Sequence, residues 1–230
     1  VDSKFRFGVK APNSVTLTHI YKRARKDAGK ENEYFLSPEL MRRFLERIAP
    51  MRGQIEAVML QFEYLNKQKM AGLPEFLDRL SRFFDEVPPD WPYGVEIRNP
   101  NYLKAPYFEL LRERGVAPVF AHGYYMPPAY ETYRRFRELI DRRAVIRLLG
   151  WDRQGIEERT GKRWNSLVEP KDQELDRIGS MVQDLLDRGV EVAVYVNNHY
   201  EGSAPATISR LQERLPEEIP GAESPSDGTD

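Results

Sequence analysis

The sequence predicts an α/β protein, and more narrowly a β/α barrel. Two observations predict this class. Six short apolar segments of strand character alternate with longer segments of helical periodicity, which is typical of a parallel sheet. Polar side chains also gather on one face of the strands, toward their carboxyl ends. The chain has 230 residues, and β/α barrels often use about 200–250 residues for a single domain.

The predicted strands are short apolar runs that stop at a proline, a glycine or an asparagine. Pro12 stops the first run, Asn99 stops the third, and Gly150 stops the fifth. We expect strands at residues 5–12, 57–62, 94–98, 116–121, 144–149 and 190–196. No strand is followed by a glycine-rich dinucleotide-binding or phosphate-binding motif, so no such motif supports a doubly wound sheet.

Helices are predicted where apolar residues recur every three or four positions. Ser37 has the character of an N-cap before Pro38, whereas Gly115 and Gly189 stand where helices end. The spacing predicts helices over residues 38–49, 73–87, 105–114, 129–141 and 172–188, and a last one from 203–205 to about 215. Residues 151–170 form a long connection, which is typical of a lid or a binding loop.

The composition excludes several classes of protein. The formal net charge is −1, so the chain is not a globally basic nucleic-acid binder. It has no cysteine, which excludes a disulfide scaffold, a cysteine-ligated metal and a cysteine nucleophile, and fits a cytoplasmic location. No apolar run reaches the roughly 18 residues of a membrane helix. We expect one domain over residues 1–215 and a disordered acidic tail over residues 216–230.

Side chains alternate between the two faces of a strand, and one face is predicted to be polar near the strand ends. A doubly wound sheet buries both faces under helices, whereas a barrel opens its inner face to a site. The polar set comprises Lys10, Gln61, Glu63, Glu96, Arg98, Arg147 and Asn197, with His122 and His199 as further candidates. Three cations against two carboxylates suit an anionic or polyhydroxylated ligand. The alternative is an internal salt-bridge network that fills the barrel mouth.

The loop after the last strand carries a second set of polar residues. Gly202 and Ser203, together with the helix that follows, could offer backbone N–H groups to an anion, or they could simply cap the helix. His199 could be a general acid or base, because an imidazole titrates near neutral pH; alternatively it braces the loop. Anion binding and helix capping both stay open for Gly202 and Ser203, as do catalysis and bracing for His199.

Two basic segments suggest a nucleic-acid interaction as an alternative function. Residues 22–26 contain Lys22, Arg23, Arg25 and Lys26, and residues 159–164 combine basic side chains with Trp164. Such runs could contact phosphates, although they more often form solvated surfaces. The sequence predicts no metal site, because its three histidines form no recognised ligand motif.

Four segments together resemble the YecE-like family, a domain-of-unknown-function family numbered 72. They are residues 5–12, 95–100, 145–150 and 195–205, and the similarity runs in order over residues 4–215. The resemblance implies a TIM-type barrel and no established activity. It marks as site residues Lys10, Gln61, Glu96, Arg98, Arg147, Asn197, Asn198, His199, Tyr200 and Glu201.

The chain also departs from the family pattern. The family commonly has histidine where this chain has Asn99 and Leu149, so a mechanism that needs either histidine does not apply. The family's first strand, which begins with a Gly-Thr-Ser-Gly-Trp-like segment, and its polar second strand find no counterpart. The resemblance therefore implies a TIM-type β/α barrel that lacks its first two strands in this chain, which would represent units three to eight.

The resulting hypothesis is a cytoplasmic barrel protein that binds or converts a small phosphorylated or carboxylated compound, possible reactions being hydrolysis or isomerisation. Glu96 and His199 are the candidate catalytic groups. Substrate binding is assigned to Lys10, Gln61, Arg98, Arg147, Asn197, Asn198, Tyr200 and Glu201. Nucleic-acid binding or processing is one alternative and a non-catalytic interaction role is another. The sequence assigns no cofactor, no membrane contact and no oligomeric state.

Overall fold

A computed structural model describes residues 4–20 and 29–216. Within them, six strands alternate with helices. The strands are β1 Phe7–Lys10, β2 Ile55–Gln61, β3 Tyr93–Glu96, β4 Ala117–Gly123, β5 Arg143–Gly150 and β6 Glu191–Val196. The helices are α1 Asn13–Thr16, α2 Pro38–Ile48, α3 Leu73–Glu86, α4 Ala105–Glu113, α5 Ala129–Phe136, α6 Arg153–Thr160, α7 Asp172–Asp187 and α8 Ala204–Gln212.

The six strands form one parallel sheet in which each strand pairs with its neighbours in the sequence, in the order β1 to β6. The sheet curls into a half-barrel flanked by helices. The curl is visible where Tyr195 of β6 crosses the concave face, because a Cβ atom on Gly8 of β1 would overlap the Tyr195 hydroxyl. The predicted α/β class with parallel strands is confirmed.

The main hydrophobic core lies between the convex face of the sheet and the helices. Val58, Leu60, Val95, Ile146 and Leu148 point outward from the strands into this core and are fully or almost fully buried. Burial of each such side chain stabilises the fold by about 1.5–3 kcal/mol. The middle of the concave face is also apolar but holds smaller residues, which are Ala57, Met59, Ala117, Val119, Val145 and Ala193. Charged side chains are thus confined to the two ends of the half-barrel interior.

Local signals place several helix ends where the sequence predicts them. The Ser37 hydroxyl oxygen accepts a hydrogen bond from the Leu40 N–H at 3.2 Å and caps α2. Gly115 and Gly189 follow α4 and α7 with φ of 64° and 72°, a left-handed conformation that glycine adopts without steric penalty.

The connection predicted over residues 151–170 contains a helix, α6, that the sequence analysis missed. Its hydrophobic signal is weak because only Ile156 and Thr160 of this helix are buried. Its ends are nevertheless defined. The Asp152 carboxylate accepts a hydrogen bond from the Gly155 N–H at 2.9 Å, and Gly161 ends the helix in a left-handed conformation.

Two predicted segments lie outside the described residues: the basic run at residues 22–26 and, apart from Pro216, the acidic tail. In the part of the chain that is described, no helix combines the length and the apolar character needed to cross a membrane.

Candidate functional site

Glu96 occupies the centre of a charged cluster at the carboxyl end of the concave face. It is the last residue of β3, and its side chain is 0% exposed. Arg147 Nη1 donates to Glu96 Oε2 at 2.5 Å, and Arg98 Nη2 lies 2.5 Å from Oε1. Two cations therefore meet one buried carboxylate, an arrangement we call the Glu96 cluster.

The intervening strand explains how Arg147 reaches Glu96. Arg147 lies on β5, whereas Glu96 lies on β3, so the arginine side chain must pass over β4. Ala121 of β4 stands opposite Arg147 in the register, and its methyl side chain leaves the space open. A larger residue there would block the path of the guanidinium group.

Both arginines keep hydrogen-bonding capacity. A guanidinium group has five N–H donors. Among the described residues, Glu96 is the only hydrogen-bonding or ion-pair partner of Arg98 and of Arg147. Their side chains are 24% and 19% exposed, so water or a ligand can reach the remaining N–H groups. The cluster carries one net positive charge when Glu96 is ionised.

Lys10 and Gln61 stand on the same face and at the same end as the Glu96 cluster. Gln61 is the register partner of Glu96 on the neighbouring strand. Lys10 is the last residue of β1 and pairs in register with Met59, two positions before Gln61. Lys10 is exposed, and no ion pair to another described residue is formed by its ammonium group.

The Tyr124 ring lies against the guanidinium group of Arg98, a contact that the sequence does not predict. The Arg98 Cζ atom lies 4.9 Å from the centroid of the Tyr124 ring, which is within cation–π distance. Tyr124 follows β4, adopts a φ of 55° and donates its backbone N–H to the Gly150 carbonyl oxygen at 3.0 Å. The available signal was an aromatic residue directly after the glycine that ends a strand.

The loop after β6 ties its polar side chains to one another and to α6. The Asn197 Oδ1 atom accepts from the His199 backbone N–H at 3.0 Å and lies 2.7 Å from His199 Nδ1. His199 Nε2 lies 3.0 Å from Glu157 Oε1, and the Trp164 ring packs edge-on against the imidazole. Both ring nitrogens of His199 thus lie within hydrogen-bonding distance of an oxygen atom.

The neighbours of Glu157 change the pKa of its carboxyl group. The pKa of its carboxyl is lowered, first by the hydrogen bond from Arg153 and then by the one from His199. His199 therefore braces α6 against the loop, as one of the two interpretations of this residue expects.

The other predicted residues of this loop make contacts away from the Glu96 cluster. Asn198 Oδ1 accepts from the Ala204 N–H at 2.8 Å and caps α8. Tyr200 is fully buried and donates to Glu174 at 3.3 Å. Burial also raises the pKa of the Tyr200 hydroxyl. Gly202 allows a close approach of the chain, because a Cβ atom there would lie 2.7 Å from the Ser166 carbonyl oxygen.

Glu201 is a fully buried anchor for two segments of the chain. Its carboxylate accepts from the Lys171 N–H at 2.5 Å and from the Thr207 hydroxyl at 2.7 Å, and it pairs with Arg210. Its backbone oxygen accepts from the Val168 N–H at 2.8 Å. These contacts fasten the segment after α6 to α8.

One member of the predicted polar set, His122, is not on the concave face, and another, Glu63, contacts residues outside the Glu96 cluster. His122 is fully buried on the convex side, where Nδ1 accepts from the Ala129 N–H at 3.2 Å and Nε2 lies 2.7 Å from Glu174. Its Nε2 therefore carries the proton, and the ring links β4 to α5 and α7. Glu63 pairs with Lys69 and accepts from the Thr18 hydroxyl at 3.0 Å.

The two positions where the family commonly has histidine hold structural residues here. Asn99 is 1% exposed. Its side chain donates to the Leu65 carbonyl oxygen at 2.9 Å and accepts from the Leu65 N–H at 2.8 Å, which joins the loops after β2 and β3. Leu149 packs with Ala121 and Met126 in a small apolar cluster next to Tyr124.

A second charged set lies at the opposite, amino-terminal end of the half-barrel. Arg143 and Glu191 form an ion pair at 2.5 Å. Burial raises the pKa of Glu56, although the nearby Tyr195 hydroxyl lowers it. Burial and then the charge of Glu56 raise the pKa of Tyr195 to about 12. The Tyr195 oxygen makes no hydrogen bond of good geometry to a described residue, and we assign this end no role in the site.

An open groove of about 530 Å³ lies elsewhere, between α5 and α7. Its lining is helical and includes Tyr130 and Arg177, whose guanidinium stacks on the Tyr130 ring. No strand residue lines it, so the groove does not connect to the Glu96 cluster. Within residues 4–20 and 29–216, no group of three histidine, aspartate or glutamate side chains is placed to hold a metal ion.

The second basic segment is largely neutralised by its surroundings. Arg159 pairs with Glu169, and Lys162 lies 3.7 Å from Glu157. Trp164 contacts the His199 ring. The nucleic-acid alternative stays a prediction, since its other segment, residues 22–26, lies outside the described part of the chain.

The fold and the cluster together define an α/β protein with a parallel six-stranded half-barrel and a buried carboxylate between two arginines at the strand ends. The chain belongs to the DUF72 family, described as "Protein of unknown function DUF72", whose family model matches residues 1–228. The family resemblance stated from the sequence is therefore confirmed.

Two solved structures of DUF72 family proteins are similar to this chain. The one from Thermotoga maritima is 22% identical, with a TM-score of 0.64, and the match covers 92% of this chain and 74% of that one. The one from Enterococcus faecalis is 20% identical, with a TM-score of 0.63, and the match covers 93% and 75%. At these identities the similarity concerns the fold alone. No curated protein matches the chain.

Proposed function

We propose that this protein binds a small phosphorylated or carboxylated compound at the carboxyl ends of its strands. The observation that carries the proposal is the excess of cationic donors at the Glu96 cluster. Two guanidinium groups share one carboxylate, and both are partly exposed. Hydrogen bonds between arginine and an anion are charge-assisted and often bidentate, so the unused N–H groups suit a phosphate or a carboxylate.

The proposed roles follow from position. Arg98 and Arg147 hold the anion, and Lys10 adds a third cation from the edge strand. Gln61 at the end of β2 and Asn197 directly after β6 would hydrogen-bond the rest of the compound. Asn198, Tyr200 and Glu201 were expected to bind substrate as well; their contacts support the loop that carries Asn197.

Conversion of the compound is a further step beyond binding. Anion binding needs no change at Glu96, whereas acid–base catalysis by Glu96 requires that the compound displace one of its arginines. His199, the second candidate catalytic group, would have to exchange its contact with Glu157 for one with the substrate. Hydrolase or isomerase activity therefore stays a prediction, and a binding protein without catalysis is the simpler form of the proposal.

We also propose that residues 1–215 form one domain of TIM-barrel type. Support comes from the sequential parallel order of the strands and from the approach of Tyr195 on the last strand to Gly8 on the first. The apolar side chains in the middle of the concave face also agree with a barrel interior that side chains fill. A cytoplasmic location is proposed only on the lack of cysteine and would be checked by cell fractionation.

Inorganic phosphate binding, measured by thermal unfolding, tests the proposed function. A ligand at 100 times its Kd stabilises the folded state by about 2.7 kcal/mol, which corresponds to an increase in Tm of several degrees. We expect this increase in the wild-type protein and its loss in Arg147→Ala, with Arg98→Ala as a second variant. Removal of one partner from a hydrogen-bonded charge contact weakens binding by about 2–5 kcal/mol.

Arg143→Ala is the matched control. Arg143 lies on the same strand as Arg147 and is also ion-paired, but at the other end of the half-barrel. Its replacement should leave the phosphate effect intact. An equal phosphate effect in Arg147→Ala and in the wild type would exclude the proposed site. Tighter binding of an oligonucleotide than of phosphate, with affinity falling steeply with salt, would favour the nucleic-acid alternative.

A further inference from the structure

The Arg98 side chain is held between a carboxylate and an aromatic ring. Arg98 lies two residues beyond the end of β3, so the strand itself does not fix its long side chain. One face of the guanidinium is covered by the Tyr124 ring, 4.9 Å from Cζ. One edge contacts Glu96 at 2.5 Å. Together the two contacts set both the plane and the direction of the remaining N–H donors.

The Tyr124 ring reaches this position because the Tyr124 backbone adopts a conformation that tyrosine rarely has. A φ of 55° is uncommon for a residue other than glycine. The preceding Gly123 has a φ of 130°, and a Cβ atom there would overlap Gly150. The Tyr124 N–H is bonded to Gly150, and the Met126 N–H returns to the Gly123 oxygen at 3.3 Å. Residues held in such conformations cluster at ligand-binding and catalytic sites.

The neighbouring aromatic residue shows that the loop orients only one ring. Tyr125 is 94% exposed, whereas Tyr124 packs against the small cluster that contains Leu149. The strained backbone therefore serves to bring the Tyr124 ring over Arg98 and leaves the next ring in solvent.

We propose that Tyr124 is a positioning residue that orients Arg98 for anion binding. The inference rests on the proposed function of the Glu96 cluster. Without the ring, Arg98 would sample several rotamers and would have to be ordered again each time an anion binds. Tyr124 acts through Arg98 and not through its own hydroxyl group, so a phenylalanine should replace it.

The experiment compares the wild-type protein with Tyr124→Phe, Tyr124→Leu and Tyr125→Leu. We expect the Kd for inorganic phosphate, measured by calorimetry, to rise about five- to thirtyfold in Tyr124→Leu, the range that cation–π contacts support. Tyr124→Phe should bind as the wild type does. Tyr125→Leu removes the exposed ring of the same loop and should have no effect.

A second measurement tests the positioning without phosphate. Nuclear magnetic resonance relaxation of the arginine side-chain Nε–H groups reports how rigidly each is held. We expect Arg98 to become mobile in Tyr124→Leu, while Arg147 stays rigid and Tyr124→Phe leaves both unchanged. General loosening of the fold would affect both arginines and would contradict a specific role.

The two measurements separate the two hypotheses. Absence of phosphate binding in the wild type would refute the proposed function, and the relaxation data would still decide whether Tyr124 holds Arg98. If the wild type binds phosphate and Tyr124→Leu binds it equally well, the inference is wrong. A loss of affinity in Tyr124→Phe would also overturn it, because the hydroxyl group would then be the important part.

Discussion

Replacement of Glu96 by glutamine tests the central geometry of the site. The change keeps the shape of the side chain and removes its charge. Arg98 and Arg147 contact different oxygens of Glu96, and the single amide oxygen of glutamine can occupy only one of those two positions. The other guanidinium is left beside an NH₂ group. We expect a loss of stability, because the substitution removes the only described ion-pair partner of two largely buried cations.

The size of the loss can be estimated from the exposure of the two arginines. Removal of one partner of a buried ion pair costs about 3–5 kcal/mol. Here the arginine side chains are 24% and 19% exposed, so water hydrates part of the uncompensated charge. The expected cost is therefore slightly below that range, about 2–3 kcal/mol. For a domain of this size each kcal/mol lowers Tm by roughly 2–4 °C.

Urea unfolding followed by circular dichroism would measure this cost. Glu191→Gln is the matched control, because its carboxylate is 70% exposed and pairs with Arg143 at the surface. Exposed pairs contribute about 0–1 kcal/mol. Added phosphate should then recover more stability in Glu96→Gln than in the wild type, since the anion takes the place of the missing carboxylate. A loss below about 1 kcal/mol, or no extra recovery with phosphate, would refute this account of the cluster.

Three further predictions concern residues outside the Glu96 cluster. Glu201→Gln should cost about 3 kcal/mol in urea unfolding, because its carboxylate is fully buried, while the Kd for phosphate stays unchanged. Gly150→Ala should cost more than about 2 kcal/mol, because Gly150 has a φ of 81° and a Cβ atom would overlap the His199 carbonyl oxygen; equal stability would contradict the backbone geometry. Hydrogen bonds from Arg137 lower the pKa of Asp184 to about 2, so its contribution is complete above about pH 4 and is lost as the pH falls toward 2. Asp184→Asn should flatten the stability–pH curve in that range, and an unchanged curve would show that the pair does not form.

Most of the fold was predictable because its signals are local. Parallel strands buried under helices are apolar runs, and Pro12 and Gly150 mark where such runs stop. Helix α6 was missed for a physical reason: only two of its residues are buried, so its sequence carries almost no apolar periodicity. It is held instead by contacts distant in sequence, such as that between Glu157 and His199.

The concave site was predictable only where strand alternation applies. Glu96 and Arg147 follow that rule within β3 and β5 and meet in the structure, where Arg98, two residues beyond the end of β3, joins them by contacting Glu96. His122 is two positions after Phe120, so both side chains lie on the convex face of β4. The rule of strand alternation therefore predicts the observed position of His122. Beyond a strand end the rule no longer holds, and the chain turns Tyr200 and Glu201 toward the helices. Turn geometry of this kind depends on tertiary contacts, as the close packing of Gly202 on Ser166 illustrates.

The cluster has two interpretations, a structural network and the anion site that we propose, and the pattern of burial supports our proposal. The middle of the concave face shows that this interior can be filled by alanine and valine, and buried ion pairs are seldom more stabilising than apolar packing. A structural network would balance its charges and satisfy its donors. The Glu96 cluster does neither: it has one cation in excess, and both guanidinium groups reach the open end of the half-barrel. A negatively charged group that arrives there completes the charge balance, so stabilisation by phosphate separates the two interpretations.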